Sequence, residues 1–460
     1  MKHLLSAALI LLSVSTAWGQ ALVQVKPAEE IGTIGPMNGV GGGISSNGMT
    51  KDLYKGAGIP FARLHDVGNT MKHCVEIMNI FPNFEADENK PESYDFIITD
   101  QYIKNIVDCG TEIIYRLKNT GHEPGTPKKY GAWPPKDFKK WARICEHVVR
   151  HYNDGWADGF HYNIKYWEIW NEPDMDQKKM PDGRWRYQVS PHSWGGTMEQ
   201  YYDLFEITFK HLKKTHPDLL VGGPANADFE SNEPFLKEMK KRGVDVDFFS
   251  WHRYSRVPER LSEEGHKVRA LLDSYGYDKV PTILDEWNYN YDWTPEGQKY
   301  SREVRQSIKG SAYTAACICH MQNEGCTDIL TYYDFRNNTS YNGAWDRQQW
   351  AETATYYVFW AWNRLREYGT QIATEYHQKD IYAVAAKNPE GKIRLLVVRY
   401  NDNNNVYKDK IMYVPLPEGA SSPLCMLSDS NHMNTAYPFP ITDIGIKLTL
   451  QPNSFVYIEL

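Results

Sequence analysis

From about residue 36 onward, short apolar runs that end in polar or aromatic residues alternate with longer segments whose apolar positions recur every three or four residues. The short runs 40–44, 59–65, 112–117, 164–170, 219–222, 246–251, 282–284 and 327–332 read as strands. The intervening segments 50–57, 96–109, 135–150, 197–214, 233–242, 258–275, 301–324 and 351–367 read as helices; in the third, Trp141, Ile144, Cys145 and Val148 fall on one face. Strands joined through helices of this length must run parallel, and eight strand–helix units close a (β/α)8 TIM barrel. All strand ends then share one rim.

Beyond residue 368 the period shortens. Alternating runs at 380–385, 393–399, 411–414, 446–450 and 455–458 are separated by turns such as Asn388-Pro389-Glu390-Gly391 and the Asn-rich stretch 401–405. This pattern predicts an appended C-terminal β-sandwich over 368–460, beside an α/β barrel over 32–367. A short strand at 21–27 has no place in the barrel, so residues 20–31 are expected to join the C-terminal sheet.

The first residues change the picture of where the chain works. Met1-Lys2-His3, an apolar run over 4–14 and the ending Ala17-Trp18-Gly19 have the form of a cleavable signal peptide over 1–19, with Gln20 as the mature start. Export to the periplasm or the extracellular space follows, with no lipid attachment at the cleavage site. Later runs are too short for membrane insertion. A formal net charge of −7, scattered along the chain, disfavours nucleic acid as a partner. Seven cysteines in 460 residues are too few and odd in number for a disulfide framework, so an apolar core must hold the fold. Cys317, Cys319 and His320 read as buried helical positions, since residues two apart do not share a helical face. No metal and no cofactor are expected, and nothing in the sequence selects an oligomeric state.

Candidate chemistry sits at two strand ends. Tyr166-Trp167-Glu168-Ile169-Trp170-Asn171-Glu172-Pro173 closes the fourth strand, where Pro173 bars further pairing. Pro281-Thr282-Ile283-Leu284-Asp285-Glu286-Trp287-Asn288 closes the seventh. Glu172 and Glu286 can therefore face each other across the barrel mouth. Paired carboxylates with an amide and flat aromatic faces nearby suit glycoside hydrolysis, and 15 Trp and 31 Tyr supply stacking surfaces. Within the fourth strand Glu168 is expected to pair with a basic residue inside the barrel. Alternation along the seventh strand turns Asp285 away from Glu286. The long segments 174–194, with Trp185 and Tyr187, and 336–350, with Tyr341 and Trp345, are expected to wall the site.

These motifs, with Arg63-Leu64-His65-Asp66, Pro134-Pro135 and Trp141, and Ser250-Trp251-His252-Arg253-Tyr254, resemble glycoside hydrolase clan A and in particular family 39 over roughly 32–366. That family contains β-xylosidases and α-L-iduronidases. The resemblance implies Glu172 as general acid and base, Glu286 as nucleophile, and retention of configuration. It implies Asn171 as donor to the sugar 2-hydroxyl, and His65, His252 and Tyr254 as donors to the sugar and the nucleophile. Trp287 and Phe335 are expected as a stacking floor. Asp285 stands where the family more often has a small hydroxyl residue. The expected function is a retaining exo-glycoside hydrolase, β-xylosidase-like, acting on terminal sugars of polysaccharide-derived oligosaccharides. Iduronidase-like, arabinose-releasing and endo-acting variants are the alternatives within the clan. A non-catalytic carbohydrate-binding surface protein is the alternative of another class.

Overall fold

The computed structural model describes residues 21–44, 50–65, 73–119, 130–337, 339–346, 351–417 and 422–460. The expected signal segment 1–19, Asp66 and residues 347–350 lie outside the described residues. The first strand, β1 (Gln24–Thr33), stands apart from the next eight. Those are β2 (Gly39–Gly41), β3 (Phe61–Arg63), β4 (Glu112–Leu117), β5 (Tyr166–Ile169), β6 (Leu220–Asn226), β7 (Phe248–Ser255), β8 (Thr282–Tyr289) and β9 (Ile329–Tyr332), which close a parallel barrel in sequence order. Val40 closes the ring by pairing with Ala62 on one side and Tyr332 on the other. The seam is tight: a Cβ on Gly39 would lie 2.5 Å from the Leu330 carbonyl oxygen.

Helices cover the barrel's outside because their apolar stripes have nowhere else to go. The helix Phe138–Asn153 buries Trp141, Ile144, Cys145 and Val148, and the Asp137 side chain caps its start by accepting from the Lys139 and Lys140 amides. Met198–Thr215 begins with a reciprocal Thr197–Gln200 capping box. One expected helix is two. Pro295–Arg305 and Ile308–Glu324 are divided where Ser307 takes an extended backbone, so the single run from 301 to 324 is corrected.

The C-terminal unit contains β10 (Thr370–Glu375), β11 (Ile381–Lys387), β12 (Ile393–Arg399), β13 (Lys410–Val414), β14 (Leu424–Ser428), β15 (Thr435–Ala436), β16 (Ile441–Thr442), β17 (Gly445–Leu450) and β18 (Ser454–Glu459). One antiparallel sheet runs β1-β10-β11-β12-β18-β14-β15, and a second runs β13-β17-β16. Val25, Ala383, Leu395, Met412, Leu448 and Val456 fill the space between them. The outer face of the larger sheet packs on the barrel: Tyr382, Val384, Leu396 and Tyr457 join the barrel's core, and Trp360 meets Tyr457 edge to face at 5.3 Å. Polar ties complete the join. The Tyr400 hydroxyl donates to the Arg256 carbonyl at 2.6 Å and the Tyr289 hydroxyl to Asp402 at 2.7 Å. All seven cysteines are free.

Candidate active site

The barrel brings the two expected carboxylates together at the C-terminal ends of its strands. β5 stops at Ile169, and the chain then turns through left-handed backbone at Trp170 (φ 73°) and Glu172 (φ 47°). Such a conformation costs about 1–2 kcal/mol for a non-glycine residue. Its supports are on every side: the Glu172 amide donates to the Ala225 carbonyl at 2.8 Å, and the Ser193 hydroxyl donates to the Asn171 carbonyl. Asp174 accepts from the Ala227 and Asp228 amides, and Asp176 accepts from the amides of His192, Ser193 and Trp194. These two buried aspartates fix the wall segment against the rim.

Glu286 reaches the same space from a strand that does not end there. β8 continues to Tyr289, because its pairing with β7 shifts register between Trp251 and His252 and then resumes as far as Ser255 opposite Tyr289. The expected strand end at Leu284 is thus corrected. The shift has a second effect, on Asp285. Simple alternation would aim Asp285 away from Glu286, yet both side chains reach one guanidinium, that of Arg63. Asp285 Oδ2 lies 2.8 Å from Arg63 Nε and Glu286 Oε1 lies 2.9 Å from Nη1. A bulge re-aims side chains locally, which is why alternation fails here.

Around these groups the partners are closely specified. Glu286 Oε1 is 2.7 Å from His65 Nε2, and Glu286 Oε2 accepts from the Tyr254 hydroxyl at 2.8 Å. Glu172 Oε1 is 2.9 Å from His252 Nδ1, while His252 Nε2 faces Asp285 at 3.4 Å. One oxygen each of Glu172 and Glu286 and one ring nitrogen of His252 lie within 4.8 Å of one another. Among the described residues this is the one such trio close enough to share a cation, but its Glu286 already has Arg63, His65 and Tyr254 as partners. Arg63 also donates to Asn171 Oδ1 and holds Glu168 at 2.6 Å, the ion pair expected inside the barrel.

Electrostatics separates the carboxylates. Burial alone would raise the Glu286 carboxyl, but the imidazoles of His252 and His65 and the guanidinium of Arg63 outweigh burial and hold it well below the usual carboxylate range. It stays ionised. For Glu168 burial is again outweighed, by Arg63 and by hydrogen bonds from Asp285, Ser250 and Arg63, so it is lowered too. Burial pushes Asp285 well above its ordinary value; Arg63 opposes this, while Glu168 and Glu286 reinforce it. Of the three carboxylates that meet Arg63, Asp285 is thus the one whose protonated form the site favours. Burial, with Glu286 nearby, also keeps the Tyr254 hydroxyl protonated, so it acts as a donor.

The structure does not assemble Trp287 and Phe335 as a stacking floor. Phe335 is enclosed edge-on by Tyr54, Trp345 and Phe359, in packing between barrel and helices. Trp287 is fully buried and edge-on to Tyr332 at 5.4 Å. An arc of Tyr333, Tyr341 and Tyr254 edges the site instead: Tyr333 meets His65 at 5.0 Å, Tyr341 meets Tyr333 at 5.1 Å, and Tyr254 meets Tyr341 at 5.6 Å. Arg305 backs the Tyr341 ring at 4.1 Å. Sequence reading passed over Arg63 as a hub. Its signal was an arginine closing a short apolar strand of a barrel whose other strands carry Glu168, on β5, and Asp285, on β8.

Residues 54–337 match the family model described as glycosyl hydrolases family 39. A relative named beta-xylosidase from Caldicellulosiruptor saccharolyticus is 32% identical over 220 residues, 43% of this chain and 41% of the relative. Another beta-xylosidase, from Geobacillus stearothermophilus, is 26% identical over 290 residues, 56% of this chain and 52% of the relative. The chain thus spans about half the length of the curated relatives it matches. Among solved structures, a glucosidase from Croceicoccus marinus superposes with a TM-score of 0.75 at 21% identity, covering 96% of this chain and 98% of that one, which shows a shared fold. With the family model covering both carboxylates, Arg63, His65, Asn171, His252 and Tyr254, the chain belongs to glycosyl hydrolase family 39.

Proposed function

We propose that this protein is a retaining exo-glycoside hydrolase that removes terminal sugars from neutral oligosaccharides, with β-xylosides as its substrates. The observation that carries the reading is the pair itself. Glu172 and Glu286 bring carboxylate oxygens within 4.8 Å of each other at the barrel mouth, and retaining enzymes hold their carboxyls roughly 5–5.5 Å apart. Glu286, kept ionised by its cationic neighbours, attacks the anomeric carbon while Glu172 passes its proton to the departing glycosidic oxygen. The ester formed on Glu286 is then cleaved by water, whose proton returns to Glu172, and the sugar leaves with its original anomeric configuration. Asn171, oriented by Arg63, stands beside Glu172 where a 2-hydroxyl would be met.

Two further points support parts of the reading. The side chains of Glu172 and Glu286 are only 14% and 6% exposed, which favours a pocket that takes a chain end over an open cleft. The two curated relatives named beta-xylosidase favour xylose as the sugar. Export to the periplasm or beyond belongs to the same proposal and rests on the N-terminal apolar run. The test is a panel of aryl glycosides (β-xyloside, β-glucoside, α-arabinoside, α-iduronide) assayed with the wild type, Glu172→Gln and Glu286→Gln. The β-xyloside should turn over fastest and both variants should lose that turnover. Sugar binding without turnover of any member would replace the enzyme with a binding protein.

A further inference from the structure

Beyond the carboxylate pair, the rim carries aromatic surface that the reaction does not use. Trp293 is 64% exposed, and its indole meets the Tyr254 ring edge to face at 5.6 Å. Tyr254 in turn donates to Glu286, so Trp293 stands one ring away from the reacting centre. Tyr291, 44% exposed, lies two residues before Trp293 with the Arg256 guanidinium over one face at 4.3 Å. Tyr291 also lines a groove of about 820 Å³ between the barrel rim and the C-terminal unit. Arg256, Tyr291, Tyr300 and the loop Asp402 to Asn405 line it. That volume is in the range of small-molecule sites.

The groove is a built surface, because its far wall is anchored before any ligand arrives. Lys309 Nζ donates to the Asp402 carbonyl at 2.6 Å and to Asn404 Oδ1 at 3.0 Å, and Asn404 Nδ2 donates to the Tyr300 hydroxyl at 2.9 Å. Asn403 and Asn405 are exposed beside it. Flat apolar rings on one side and amides on the other match the two faces of a pyranose. Its charge selects among sugars. Arg256 is already paired with Asp402 at 3.4 Å and covered by Tyr291, and Asp292 and Glu296 add negative charge. An acidic sugar would meet repulsion here.

We propose that this groove, together with exposed Trp293 between its lining residues Asp292 and Thr294, is a distal subsite for the part of a neutral oligosaccharide that extends beyond the scissile sugar, with Trp293 and the face of Tyr291 turned from Arg256 as stacking surfaces and the Asn403–Asn405 loop as the hydroxyl partner. The C-terminal unit thereby takes part in substrate recognition. The proposal rests on the glycosidase reading, and its test separates the two. kcat/KM is measured on xylotetraose and on an aryl β-xyloside for the wild type, Trp293→Ala and Asn405→Ala. Both variants should lose roughly fivefold or more on xylotetraose through KM, and less than twofold on the aryl xyloside. Equal losses on both substrates would mean that Trp293 acts only through Tyr254, and no change on either would mean that the groove is unused; each overturns the proposal. If the wild type hydrolyses neither substrate, the glycosidase reading fails by itself. Calorimetric titration of Glu286→Gln and Glu286→Gln/Tyr291→Ala with xylotetraose then decides the subsite: weaker binding by the double variant supports it, and equal or absent binding overturns it.

Discussion

Replacing Asp285 with Asn isolates the charge arithmetic on which the site depends. Glu168, Asp285 and Glu286 converge on Arg63 at 2.6, 2.8 and 2.9 Å, with Arg63, Glu168 and Asp285 wholly buried. Burial, aided by Glu168 and Glu286 and opposed by Arg63, raises the Asp285 carboxyl well above its ordinary value of about 3.9. The sign follows from linkage. A group whose folded pKa exceeds its unfolded one supports folding fully below the unfolded value, and that support is lost as pH climbs toward the folded value. The loss is about 1.4 kcal/mol for each pH unit in that window. Asn offers the same donor and acceptor as the protonated acid and does not titrate. Asp285→Asn should therefore be nearest the wild type in stability at about pH 4, and should gain on it by about 1.4 kcal/mol per unit above that until the folded pKa is passed. Urea midpoints at about pH 4.5, 5.5, 6.5 and 7.5, converted with the measured m-values, give the slope. A variant less stable than the wild type by about 3 kcal/mol or more at pH 7.5, with a deficit that widens as pH rises, would mean that Asp285 is a charged partner of Arg63. The three-carboxylate account would then be wrong.

Two further substitutions test neighbouring links. Tyr254→Phe removes the donor to Glu286 Oε2, and a hydrogen bond to a charged group contributes about 1.5–3 kcal/mol, so kcat/KM on an aryl glycoside should fall roughly ten- to hundredfold with the melting temperature little changed. An unaltered rate would remove Tyr254 from the reaction. Arg63→Met strips the cation from buried Glu168 and Glu286, and breaking a buried pair in this way costs about 3–5 kcal/mol. Denaturant unfolding should show that loss at neutral pH, and it should shrink on acidification as the stranded carboxylates take up protons.

Much of this arrangement was legible in the chain because it is written in local patterns. The eight-unit rhythm fixed the barrel, and strand ends fixed where Glu172 would emerge; β4 (Glu112–Leu117) and β12 (Ile393–Arg399) have the bounds their alternation and flanking turns predict. What escaped was non-local. The register shift in β8 depends on its neighbours, so nothing in Leu284-Asp285-Glu286-Trp287 reveals that two successive acids turn to one arginine. β10 is polar and follows directly on a helix, and β14 follows Pro423 without clear alternation, so both were missed. Phe335 looked like a rim aromatic because position in sequence says nothing of which helix closes over it. Trp293 carries no local signal, because its place against Tyr254 is set by the tertiary fold.

The division of labour between Glu172 and Glu286 is the central claim, and trapping the covalent intermediate tests it most directly. A 2-deoxy-2-fluoro analogue of the hydrolysed glycoside, with a good leaving group, should inactivate the enzyme and leave one sugar on the peptide carrying Glu286, located by mass spectrometry after proteolysis. An adduct on any other residue, or turnover that gives the inverted anomer with no adduct, would contradict the account.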